Sequence, residues 1–175
     1  MPFPPPPVES IDWDNIGFKV RDVNGHIESY YSVNTGKWSE PQFIADPYLR
    51  IHGMAPALNY GEQAFEGIKT FRTPDDQIAI FRTMANAKRM AHSAGFVAIP
   101  PVPETHFVKC CHLAVGLNAE HVPPHRTGAS MYIRPLVYGS SAHLGLTPPG
   151  RVYLCCLCGT GWRLPWRSSR RRLDS

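Results

Sequence analysis

The sequence predicts an α+β domain. Asn24-Gly25 and Thr73-Pro74-Asp75-Asp76 each separate short β-rich runs, as the turns of two hairpins would. Two helical stretches lie next to each other, parted by Pro100-Pro101-Val102-Pro103, and two further β-rich runs follow. Strands joined by turns, with the helices gathered between them, point away from a doubly wound parallel sheet.

Residues 1–16 begin Met-Pro-Phe-Pro-Pro-Pro-Pro and are expected to form a Pro-rich flexible arm. Phe18–Val23 and His26–Tyr31 are expected to pair through Asn24-Gly25, because both turn residues tolerate positive φ. Residues 32–50 carry turn formers and little periodicity. Gly67–Arg72 and Gln77–Arg82 form the second expected hairpin, with Ile78, Ile80 and Phe81 marking a half-buried strand. Thr83 offers an N-cap for a helix reaching about Ala94, on which Ala85, Arg89, His92 and Ser93 lie near one face. After the proline break, Glu104–Ala119 reads as a helix with Phe107, Val108, Cys111, Ala114, Val115 and Leu117 on its apolar side. Pro123-Pro124 opens a loop, and Ser130–Tyr138 and Arg151–Leu157 read as strands.

A chain of 175 residues with 43% hydrophobic and 18% charged residues has the size and composition of one domain with a core, which excludes wholesale disorder. No run approaches the ~18 apolar residues of a membrane span, so an integral membrane protein is not expected. The start has neither a basic segment nor an apolar one, so no secretory signal is expected. Cys110, Cys111, Cys155, Cys156 and Cys158 are odd in number and clustered, which suits a reducing, cytoplasmic setting and packing rather than disulfides. The net charge of +4 lies in the tail: Arg163, Arg167, Arg170, Arg171 and Arg172 face one acid, Asp174, and the body is neutral. No nucleic-acid partner is therefore expected for the folded part. An arginine-rich tail with two tryptophans allows an anion- or nucleic-acid-binding reading for itself alone. No metal site is expected, since Cys155 and Cys156 would point to opposite faces of a strand.

Three stretches carry candidate chemistry. Asn59-Tyr60-Gly61-Glu62-Gln63-Ala64-Phe65-Glu66-Gly67-Ile68-Lys69 either presents Tyr60 and Phe65 to a ligand or buries them in a short helix. Arg89, in Asn86-Ala87-Lys88-Arg89-Met90, is either a bidentate phosphate ligand or an exposed helix arginine. Tyr132 and Arg134, in Met131-Tyr132-Ile133-Arg134-Pro135, share one strand face. That pair suits a carboxylate beside an apolar group, or an edge strand with a snorkelling arginine.

Taken in order and with their spacing, these stretches resemble the N-terminal half of the branched-chain amino acid aminotransferases, pyridoxal-phosphate enzymes of fold type IV. The likeness is to fungal members, including those of secondary metabolism, and runs from about Gly17 to about Leu157. It also takes in the Ile99–Pro103 break and Gly145-Leu146-Thr147-Pro148-Pro149. The resemblance implies that residues 17–157 are the family's small domain. It implies that Arg89 anchors the phosphate of pyridoxal 5'-phosphate. Tyr60, Phe65, Tyr132 and Arg134 would line the substrate pocket, with Arg134 also accepting the side-chain carboxylate of glutamate. The implied reaction moves an amino group between a branched-chain or related apolar amino acid and 2-oxoglutarate, in a homodimer. Asn59 departs from the histidine that many relatives carry there.

The family's Schiff-base lysine lies tens of residues beyond the Tyr-Ile-Arg-Pro strand, in a larger second domain. Lys19, Lys37, Lys69, Lys88 and Lys109 match no such position, so no catalytic residue is assigned and this chain alone is expected to be inactive. Residues 158–175 lack the family's pattern and are expected to be an unrelated basic tail produced by a frameshift, a mis-splice or a premature end. A non-catalytic remnant that associates with a full-length homologue is the alternative role.

Overall fold

A computed structural model describes residues 3–17, 19–144 and 150–162. In chain order the elements are β1 (His26–Ser32), β2 (Lys37–Trp38), β3 (Gln42–Ile44), α1 (Pro56–Tyr60), β4 (Gln63–Phe65), β5 (Ile68–Arg72), β6 (Ile78–Ile80), α2 (Thr83–Phe96), α3 (Glu104–Gly116), β7 (Ser130–Gly139) and β8 (Arg151–Trp162). The strands form one sheet ordered β2-β1-β8-β7-β5-β6, with β3 on β1 and β4 on β7. The pairings are antiparallel. This is the α+β architecture that the turn-linked strands predict.

Cross-strand register sorts the side chains onto two faces. Ile27 on β1 pairs with Cys156 on β8 and Cys156 with Pro135 on β7, and two residues earlier on β7 Ile133 pairs with Ile68 on β5, so these side chains share one face. With Val137 and Leu154 they form the face that α2 and α3 cover, where Met90, Phe107, Cys110, Cys111 and Ala114 are fully buried. The cysteines behave as small hydrophobes here, as the sequence suggests. Cys155 points the other way, into a second cluster with Ala57 and Tyr138.

The opposite face is covered only in part. Ala57 of α1, with Leu49 and Ile51, packs on Tyr138, Cys155, Leu136 and Tyr153. Beyond that patch, Phe65, Tyr132, Arg134 and Lys69 share this face by register, Phe65 opposite Leu136 and Lys69 opposite Tyr132.

The second expected hairpin is present: Thr70 pairs with Ile80 and Arg72 with Ile78. The Thr73 hydroxyl accepts from the Gln77 amide at 3.0 Å. The first is not. Residues 19–23 form no strand, and β1 pairs instead with β2, β3 and β8 (Phe18 is outside the described residues). The Asn24 amide donates to the Leu117 carbonyl at 2.8 Å and to the Glu120 carboxylate at 2.6 Å. Gly25 lies against β3, where a Cβ would sit 2.1 Å from the Ile44 carbonyl oxygen. Long-range packing, not turn chemistry, selects this glycine.

Three boundaries also differ. Thr83 is the first residue of α2, not its cap; the cap is Arg82, in the left-handed region at φ 51°. Helix α3 stops at Gly116, and Leu117 is 42% exposed rather than on the apolar side. Strand β8 runs past Leu157 to Trp162, with Cys158 opposite Ile133 and Gly159 opposite Tyr132. Residues 158–162 thus belong to the sheet, and the rest of the expected tail, from residue 163, lies outside the described residues. The expected arm is tied to the body: Trp13 and Ile16 are buried with Ala129, and the Val8 amide donates to the Glu120 carbonyl at 2.9 Å.

Candidate functional site

The stretch from Asn59 to Lys69 is built from tight local geometry. Helix α1 ends on Gly61, whose φ of 68° reverses the chain into β4. Asn59 spends its amide on the Gly53 and Ala55 carbonyls, at 2.9 and 3.0 Å, and so fixes the preceding loop. Strand alternation then sends Phe65 to the helix-free face, Glu66 to the helix side and Gly67 back again. A Cβ on Gly67 would meet the Tyr132 hydroxyl oxygen at 2.5 Å, so any larger residue here must displace the Tyr132 side chain.

On the helix-free face, Arg134 stands between two rings. Its guanidinium carbon is 4.5 Å from the Phe65 ring centroid and 5.2 Å from that of Tyr132. Its Nε and Nη2 both donate to the Tyr132 hydroxyl, at 3.1 and 2.7 Å. Each cation–ring contact at a partly exposed site contributes about 0.5–1 kcal/mol. The arrangement holds a cation beside an apolar wall, with Nη1 forming no hydrogen bond among the described residues. Phe65 is 61% exposed, so the wall is open.

Arg89 lies on the other side of the Phe65–Gly67 segment. Its Nε donates to Glu66 Oε1 at 3.0 Å and its Nη2 to Glu66 Oε2 at 2.7 Å. A second Nη2 bond reaches Asn86 Oδ1 at 2.6 Å. The bonds to Glu66, and its charge, push the guanidinium further above its ordinary range, so it stays cationic. Arg89 lines a cleft of about 340 Å³ with Gly67, Lys69, Phe81, Arg82 and Asn86, at the start of α2. That helix has no side-chain N-cap, and Arg82 and Asn86 are what its first turn contributes to the cleft wall.

The structure therefore brings Phe65, Tyr132 and Arg134 together and sets Arg89 apart from them across one strand segment. Tyr60, the last residue of α1, is 51% exposed and stacks on none of these rings among the described residues. Sequence reasoning missed Glu66 and Asn86 as the partners of Arg89. The spacing of Asn86, three residues before Arg89 on a helix, is the signal that points to it.

Other reactive groups are quiet. Burial pushes the Cys155 and Cys158 thiols up to about 12 and the Tyr138 phenol higher still, so none ionises near neutrality. Lys109 is bound to the Glu40 carboxylate at 2.5 Å. Among the described residues no cluster of three or more His, Cys, Asp or Glu is arranged to hold a metal ion. Nor is any helix among them long and apolar enough to cross a membrane.

No protein-family model matches the chain. Over 153 residues it is 54% identical to the transaminase htyB of Aspergillus rugulosus, covering 87% of this chain and 40% of that protein. Among solved structures, the Escherichia coli branched-chain amino acid aminotransferase superposes with a TM-score of 0.62 at 20% identity. The match covers 79% of this chain and 40% of that one. The T.th. branched-chain amino acid aminotransferase with pyridoxamine 5'-phosphate superposes with a TM-score of 0.57 at 22% identity, over 84% of this chain and 43% of that one. The chain thus spans about 40% of the length of the curated relative it matches.

Proposed function

We propose, for a chain that is homologous to the N-terminal part of fungal aminotransferases and shares the fold of the branched-chain enzymes, that it forms the small domain of a pyridoxal-phosphate-dependent aminotransferase. The substrates are a branched-chain or related apolar amino acid and 2-oxoglutarate. The setting is fungal secondary metabolism, in the cytoplasm, with the intact protein a homodimer. The observation that carries this reading is the pair of guanidinium groups flanking Phe65–Gly67: Arg89 in a polar cleft, Arg134 between two rings.

The residues present fit the cofactor's phosphate. Arg89 keeps its two Nη1 hydrogens unbonded among the described residues, beside the uncapped start of α2. When bound, the cofactor supplies the aldehyde and electron-withdrawing ring that take up and release an amino group. Arg89 holds the phosphate, and the cleft walls at Gly67 and Phe81 orient it. Phe65 and Tyr132 take the aliphatic side chain of one substrate, and Arg134 Nη1 takes the side-chain carboxylate of the other. Tyr60 closes the same pocket in the assembled protein.

These 175 residues alone bind without turning over, because none of their five lysines stands where the family's Schiff-base lysine does. Titration with pyridoxal 5'-phosphate and with pyridoxal tests the binding half of the proposal. The phosphorylated compound binds more tightly, and Arg89→Ala abolishes the difference. Equal affinity for the two compounds defeats the assignment of Arg89. Leucine and 2-oxoglutarate added to the loaded chain yield no glutamate; measurable glutamate defeats the claim that the chain is inactive alone.

A further inference from the structure

Arg89 is held by a frame of two partners, Glu66 outside the cleft lining and Asn86 within it. Glu66 is the more buried partner, its side chain 11% exposed against 58% for Arg89. Its backbone amide donates to the Pro135 carbonyl at 3.0 Å, which anchors it to β7. Asn86 is fixed as well, because its Nδ2 donates to the Arg82 carbonyl at 2.9 Å and so turns Oδ1 toward Arg89. Of the five guanidinium hydrogens, Glu66 takes two and Asn86 takes one. The two left over are both on Nη1. An exposed arginine otherwise loses rotamer freedom when a ligand orders it. Here that ordering is already complete without a ligand.

We infer that Glu66 and Asn86 are positioning residues that pre-orient Arg89, so that Nη1 alone is presented to a phosphoester in the cleft at the start of α2. The inference rests on the proposed phosphate role of Arg89 and adds the device that makes it work. A carboxylate next to an anion site also repels the anion. The bidentate geometry and the anchoring of Glu66 to β7 favour orientation over repulsion as its net effect. The same frame explains why the guanidinium stands clear of Arg134: strand alternation sends Glu66 to the helix side, and Arg89 follows it.

The test is a double-mutant cycle on the 175-residue chain, with affinities for pyridoxal 5'-phosphate, inorganic phosphate and pyridoxal measured by calorimetry. Glu66→Ala weakens both phosphate-bearing probes about tenfold, as loss of a supporting partner typically does. It leaves pyridoxal unchanged, and in an Arg89→Ala background it has no further effect. Glu66→Gln, which keeps the length and one acceptor, loses less. The Arg89 Nε–H signal in nitrogen-15 NMR is protected from solvent exchange in the unliganded chain and loses that protection in Glu66→Ala, a readout independent of any ligand. Tighter phosphate binding in Glu66→Ala, or an equal effect in the Arg89→Ala background, overturns the inference while leaving Arg89 as the anchor. An Arg89→Ala chain that binds phosphate normally, or an unsubstituted chain that binds none, overturns the anchor itself. Unfolding of Glu66→Ala transfers the cycle to Glu66→Gln and Asn86→Ala, for which the same outcomes decide.

Discussion

Gly67 and Tyr132 touch so closely that the Tyr132 hydroxyl oxygen lies 2.5 Å from the place a Cβ on residue 67 would occupy. That hydroxyl also receives both Arg134 bonds. A methyl group at residue 67 must therefore push aside the acceptor that orients Arg134. Gly67→Ala is expected to cost about 1–3 kcal/mol by overpacking, measured as a lower midpoint in urea. Gly67→Ala combined with Tyr132→Phe, which removes the clashing oxygen, is expected to recover most of that loss. Equal stability of Gly67→Ala and the parent chain rules the clash out.

The thiols give a second prediction. Cys111 and Cys156 lie 3.9 Å apart, sulfur to sulfur, between α3 and β8, and both are fully buried. As packing groups they resist thiol reagents in the folded chain and react only on unfolding. Cys156→Ser is expected to destabilise by about 1–3 kcal/mol, because a hydroxyl among thiols and aliphatic groups lacks a good partner. Cys156→Ala, which leaves only a small void, costs about 1 kcal/mol. Labelling of Cys156 in the native chain at the rate of a free thiol contradicts the packing role.

Local chemistry made some elements legible and not others. The β5–β6 hairpin is readable because Thr73-Pro74-Asp75-Asp76 closes its own turn, with Thr73 bonded to Gln77. Asn24-Gly25 carries the same kind of signal, yet its side chain and its bare Cα serve contacts to Leu117, Glu120 and Ile44 far along the chain. Strand β8 past Leu157 shows no alternation because Gly159 and Gly161 carry no side chain; only its register with β7 reveals it. At the site, Tyr132 and Arg134 share a face by simple alternation, whereas Glu66 meets Arg89 across 23 positions. No spacing rule reaches that far.

Arg72 is the third case. It is 3% exposed and donates to the Pro5 and Ala119 carbonyls at 3.0 and 3.1 Å and to Asp76 at 3.0 Å. One guanidinium thereby ties the N-terminal segment, the turn after α3 and the β5–β6 hairpin together. Arg72→Met fills similar volume but strands the Pro5 carbonyl and leaves the Ala119 carbonyl only its bond from the Val122 amide, for an expected loss of about 1–3 kcal/mol. Limited proteolysis of Arg72→Met should cut first within residues 3–17. A cleavage pattern identical to that of the parent chain excludes the tether.

The pH dependence follows from His106. The Ser29 hydroxyl donates to the Ser39 carbonyl at 2.8 Å, which leaves its oxygen to accept from His106 Nε2 at 2.8 Å. Burial, with Lys109 adding a smaller repulsion, lowers its affinity for a proton, while Glu40 opposes this in part. A base whose folded-state pKa is depressed stabilises the fold fully above its unfolded value, near 6.5, and loses that contribution as pH falls through the lower folded value. Burial depresses His121 in the same direction, so the two losses add. The urea midpoint should therefore drop as pH falls through and below about 6.5. His106→Gln keeps the donor to Ser29 but cannot titrate, and so should flatten part of the slope. An unchanged slope in His106→Gln assigns the acid sensitivity elsewhere, with His121→Gln the next variant to measure.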